Sequence, residues 1–155
     1  MKSINDYINK NKHILEKSLE IDNEKWNENL KFEEVLNCSG LENLVLEKHK
    51  TYLVIYDGEP IHTKIIINKA LEVDANIIFI LDDYFLATNS FLIQIANKLI
   101  KENNKKMFIK LYNNIYEEKI FKSTSEVDTT IYIGDERNFE YIQNNVKNNL
   151  IKIKY

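Results

Sequence analysis

Three short stretches bring together the side chains that could do chemistry. "YDGEPIHT", residues 56–63, follows an apolar run and holds Asp57, Gly58, Glu59, Pro60 and His62. "LDDY", residues 81–84, pairs Asp82 with Asp83, and "GDE", residues 134–136, sets Gly134 beside Asp135 and Glu136. Carboxylates in this density could hold Mg²⁺ through oxygen ligands. His62 has the one side chain type whose ordinary titration lies near neutrality, so it could serve as an acid or base. The same residues have plainer readings. Asp82 and Asp83 suit the cap of a helix starting near Tyr84, where negative charge complements the dipole. His62 follows Pro60 by two and reads equally as a solvated residue of a first helical turn.

Several chemistries lack their residues. The chain has three glycines, Gly40, Gly58 and Gly134, and none forms the spacing that lets backbone approach a pyrophosphate. NAD(P) is therefore not an expected cofactor. His13, His49 and His62 are far apart, with no paired-histidine zinc pattern. Ser90, Ser123, Thr124 and Ser125 lack a nucleophile-elbow context. Cys38 is the only cysteine, so no internal disulfide forms, and it reads as a small buried or half-buried thiol. No catalytic residue and no metal ligand is assigned. The net charge of −3 is mixed along the chain, and Arg137 is its only arginine, so nucleic acid is not an expected partner. The start "MKSINDYINK" has no apolar core of a signal peptide, and runs such as "IIFIL" are too short to span a bilayer. A cytoplasmic protein is expected. The Lys-, Ile- and Asn-rich composition fits the codon bias of an AT-rich bacterial genome.

The elements that must position these residues follow from periodicity. At 155 residues the chain is expected to be one domain: a helical segment over 1–47 and an α/β core over 48–155. Apolar spacing predicts helices over 3–21 and 24–37, the second turning Trp26, Leu30 and Phe32 inward, and a short helical turn in "LENLVLE". From residue 51 strands and helices alternate. Strands are predicted at "TYLVIY", "NIIFIL" (76–81), "KMFIKLY" (106–112), "TTIYIG" (129–134) and "NLIKIKY" (149–155). Helices are predicted over 60–73, 84–102, 114–123 and 135–145. Alternation of this kind predicts a five-stranded, mostly parallel, Rossmann-like open sheet with helices on both faces. Ligands of such sheets bind outside the carboxyl ends of the strands. The candidate ligand-binding residues, Asp57, Gly58, Glu59, Pro60, His62, Asp82, Asp83, Gly134 and Asp135, all fall on that edge.

The stretch "VIYDGEPIHTKIIINKALEVDANIIFI" resembles the first strand–helix–strand unit of the aldehyde dehydrogenase superfamily, most nearly its gamma-glutamyl phosphate reductase branch. Tyr56, Pro60, Thr63, Ala70, Leu71 and Asn76 fall in step with it. "ATNSFLIQIANKLIKENN" resembles the next helix, and Val127, Asp128 and Gly134 match a later segment, so the likeness covers about residues 52 to 154. The departures bear on function. The family's oxyanion-binding asparagine falls at Ile61, and loss of one such donor costs on the order of 3–4 kcal/mol of transition-state stabilisation. The family's basic residue near the cofactor falls at Leu81, and its small hydroxyl residue after the glycine falls at Asp135. Its nucleophilic cysteine belongs to a separate domain that these residues do not include.

The expectation is thus a non-catalytic aldehyde-dehydrogenase-like domain acting as a protein-interaction or oligomerising module, with itself or another protein as partner. The nearly all-round apolar "FLIQIANKLI" fits a helix covered on more than one side, by a partner or by its own chain. The alternative is a small-ligand or nucleotide-binding protein that uses the acidic edge with Mg²⁺ and His62 as base.

Overall fold

The computed structural model describes residues 3–113 and 117–154. Three helices come first: α1 (Ile4–Lys10), α2 (Lys12–Trp26) and α3 (Phe32–Leu36). Then β1 (Thr51–Ile55), α4 (Pro60–Val73), β2 (Asn76–Leu81), α5 (Leu86–Glu102) and β3 (Ile109–Asn113) alternate. They are followed by α6 (Glu117–Ser123), β4 (Thr129–Gly134), α7 (Phe139–Asn145) and β5 (Asn149–Lys154). The five strands form one sheet in the order β3-β2-β1-β4-β5, and every neighbouring pair is parallel. The expected Rossmann-like fold is what the chain adopts, and the sheet is parallel throughout rather than mostly so. Strand order reverses between β1 and β4, which makes that pair the topological switch point.

The two faces are clothed unequally. On one, Val54, Ile77, Phe79 and Ile131 of the sheet pack with Ile66 and Ile67 of α4 and Leu92 and Leu99 of α5. The same core runs on into Ile8, Leu15, Leu19 and Val35 of the N-terminal helices. Each such side chain contributes about 1.5–3 kcal/mol by leaving water. α5 touches α1, α2, α4 and β3, so the all-round apolar character of "FLIQIANKLI" is accounted for within one chain. The other face carries two small clusters. Ile120 of α6 packs on Leu53, Ile78 and Ile80, and Phe121 joins Tyr132 and Ile142 of α7.

The N-terminal segment departs from expectation. The helix predicted over 3–21 breaks at Asn11, whose amide donates back to the Tyr7 carbonyl at 2.9 Å. The helix predicted over 24–37 does not form as one piece. α2 runs on to Trp26 and ends at Asn27, in the left-handed region at φ 52°. Asn23 then grips Leu30, accepting from its N–H at 2.9 Å and donating to its carbonyl at 2.8 Å. Asparagine tolerates left-handed backbone and competes for local backbone bonds, so two asparagines make a turn where apolar spacing alone reads helix. Phe32 is buried as expected and Val35 is buried too, whereas Trp26 is 36% exposed, edge-on to Tyr84. "LENLVLE" contains a turn but no helix. β3 begins three residues later than predicted, and the predicted start of α6 at 114–116 lies outside the described residues.

Candidate functional site

The switch point is built by the loops after β1 and β4. Ile55 stands opposite both Ile80 of β2 and Tyr132 of β4, so Asp57, Asp82 and Gly134 come level on the carboxyl edge. The structure thus brings Asp57, Gly58, Glu59, Asp82, Asp83, Gly134 and Asp135 to one edge, with Pro60 and His62 in the first turn of α4.

Their side chains do not converge on one point. The Asp57 carboxylate accepts the Glu59 N–H at 3.0 Å. Asp135 caps the short 3₁₀ turn that follows β4, accepting the Arg137 N–H at 2.8 Å, and its other oxygen receives the Arg137 guanidinium. That pairing holds the Asp135 carboxyl down to about 2. Glu136 is paired with Lys154 at 2.7 Å. Among the described residues no three His, Cys, Asp or Glu side chains form a group that could hold a metal ion.

The capping role expected of Asp82 and Asp83 is not observed. α5 begins after Phe85, itself in the left-handed region at φ 48°, and no side chain of the preceding loop caps it. Both aspartates are exposed. The first-turn donor is satisfied from elsewhere in the chain: buried Asp22 of α2 accepts the Thr88 N–H and the Thr88 hydroxyl, each at 2.7 Å. His62 is half-buried rather than solvated, and burial lowers its basicity.

The N-terminus of α4 is where a dinucleotide pyrophosphate would sit in a fold of this order. Here Pro60 removes one donor, and the Glu59 carboxylate accepts from the Ile61 N–H at 3.5 Å. Burial pushes the Glu59 carboxyl above its ordinary range. The Ile61 N–H pulls it back, and the charges of Asp57, Glu28 and Glu34 push it up again. A recess of about 280 Å³ lies alongside, lined by Glu28, Glu34, Glu59 and Tyr84 among others. Glu28 and Glu34 come from the N-terminal segment, which sequence reading did not connect with this edge.

A buried chain of hydrogen bonds fixes the loop from beneath. The Tyr56 and Thr63 hydroxyls meet at 2.6 Å, and Thr63 donates to the Asn89 side-chain oxygen, Oδ1, at 2.7 Å. The Asn89 amide donates to the Gly58 carbonyl at 2.6 Å and to the Tyr84 carbonyl at 3.3 Å. Burial raises the Tyr56 phenol far above its usual range. Gly58 sits at φ 95°, and a β-carbon there would lie 3.0 Å from the Tyr84 carbonyl oxygen, so the turn requires glycine. At Gly134 the missing β-carbon leaves room for the ring of Tyr132, not for a ligand. Asn89 and Asp22 had one legible signal: polar residues on otherwise apolar, core-facing helix stripes.

Cys38 is half-buried, its thiol 3.9 Å from the Ile61 carbonyl and pushed up by burial. No helix among the described residues is long and apolar enough to cross a membrane. No protein-family model matches the chain, and no curated protein matches it significantly.

Proposed function

We propose that this chain is a cytoplasmic, non-catalytic module that works by binding protein, and that it derives from an aldehyde-dehydrogenase-type cofactor fold. The observation that carries this reading is the Glu59 carboxylate on the N-terminus of α4, bonded to the Ile61 N–H. A phosphate approaching there would meet a carboxylate and the negative charges of Asp57, Glu28 and Glu34. Three polar groups beneath the loop are engaged with one another: Tyr56, Thr63 and Asn89 hold the turn's shape. Ile61 and Leu81 stand where the resembled family places its donor and its basic residue. The scaffold is retained while its chemistry is not, which describes a pseudoenzyme.

The second reading, a small-ligand site on the acidic edge, is favoured by the recess beside Glu59. One experiment separates them. Thermal unfolding is followed with saturating NAD, NADP, ATP and Mg²⁺, singly and combined. A ligand at about 100 times its dissociation constant adds about 2.7 kcal/mol, which is roughly 5–10 °C for a domain of this size. A flat panel is expected. A shift with a dinucleotide overturns the non-catalytic reading, and a shift with Mg²⁺ or ATP favours the acidic edge.

A further inference from the structure

We propose that the face of the sheet bearing α6 is a two-fold interface between copies of this chain. The proposal rests on the protein-binding reading above and names the partner. The opposite face carries α4 and α5 beneath a further layer of α1, α2 and α3, whereas among the described residues this face carries α6 and α7 alone.

Two grooves flank α6. One of about 760 Å³ lies toward β3, lined by Leu111, Tyr112, Lys119 and Ser123 among others. The other, about 730 Å³, lies toward α7, lined by Phe121, Ser125, Tyr141 and Lys147 among others. Glu118 and Lys122 line both grooves, so they form the ridge between them. A ridge flanked by grooves is the surface that a second helical ridge fills. Tyr112 and Tyr141, 36% and 51% exposed, stand one beside each groove, and tyrosine is enriched as an interface anchor.

Charge selects the occupant. Glu118 and Lys122 are one helical turn apart, and among the described residues neither takes part in an ion pair. In a two-fold contact the same patch meets itself, and residue pairs are exchanged reciprocally. Two such ridges laid antiparallel place Glu118 of each copy against Lys122 of the other. A uniformly acidic or basic partner would meet a like charge at one of the two positions. The ridge is therefore complementary to its own reverse.

The test is sedimentation and light scattering of the full chain up to about 0.5 mM, a range that detects weak self-association. The chain is expected to dimerise. E118K and K122E each turn both ridge contacts repulsive and weaken the dimer about tenfold or more. Both positions are exposed, so the variants should fold. An equimolar mixture of the two variants restores association as a heterodimer, because every ridge contact is again between opposite charges. A wild-type monomer at the highest concentration, or a dimer indifferent to both substitutions, overturns the interface. The ligand panel reads the underlying hypothesis separately: a monomer that ignores nucleotides removes this interface and leaves the non-catalytic reading in place.

Discussion

Replacing Asn89 with alanine removes the centre of the buried network and should be among the most destabilising single changes on the carboxyl edge. The side chain is fully buried and serves three groups: the Thr63 hydroxyl, the Gly58 carbonyl and the Tyr84 carbonyl. A buried polar group left without its partner costs about 1–3 kcal/mol. The Tyr84 bond is long, and local relaxation recovers part of the loss, so N89A should cost about 2–5 kcal/mol in all. For this chain length that is a fall of roughly 5–15 °C in unfolding midpoint. Urea denaturation of N89A, T63V and the double variant is the assay. Asn89 and Thr63 share a hydrogen bond, so the two losses should miss additivity by about 0.5–3 kcal/mol. S90A, on the same turn but outside the network, is the control and should stay within about 0.5 kcal/mol of wild type. An N89A loss below about 1 kcal/mol, or strict additivity with T63V, would refute the argument that this network holds the loop.

Gly58→Ala should cost about 1–3 kcal/mol, because alanine is strained at φ 95° and its methyl presses on the Tyr84 carbonyl; an unchanged urea midpoint would show that the turn relaxes freely. Glu59→Gln tests the closed helix end by pH. The folded carboxyl is raised above its ordinary 4.5, so folding takes up the proton and the stabilisation is full only below about that pH. It is lost as pH rises through the folded value. E59Q should therefore equal or exceed wild type in stability at pH 7, with the difference closing toward pH 4. A less stable E59Q at pH 7 would mean that the charge on the α4 N-terminus outweighs its burial.

The α/β half of the chain was legible because its signals are local. Pro60 at the first helical position, the unbroken apolar "NIIFIL" and the β-rich "TTIYIG" each specify an element within a few residues, and α4, β2 and β4 span the predicted residues. Parallel strands buried on both faces need no pairing partner to be recognised. The N-terminal segment was less legible because three asparagines, Asn11, Asn23 and Asn27, decide it. Asn11 and Asn27 interrupt apolar spacing that otherwise continues, and their effect depends on backbone conformation rather than on hydrophobicity. The candidate edge was legible in membership but not in wiring. Asp57, Glu59, Asp82 and Asp135 were placed correctly by topology. That Asp22, 66 residues distant, would cap α5 in place of Asp82 or Asp83 is a tertiary fact no local pattern carries. The same holds for Glu28 and Glu34 beside Glu59.

The dependence of the N-terminal helices on α5 bears on how the chain emerges during synthesis. α2 ends at Trp26, yet the helix that covers its apolar stripe ends at Glu102. At about 5–20 residues per second, roughly 4–15 s pass between the appearance of one and the completion of the other. Through that interval Leu15 and Leu19 have no α5 to bury against, and the Asp22 carboxylate has no Thr88. The nascent segment must stay soluble on its dense Lys and Glu content, and a chaperone that recognises short apolar stripes would find its natural client window there.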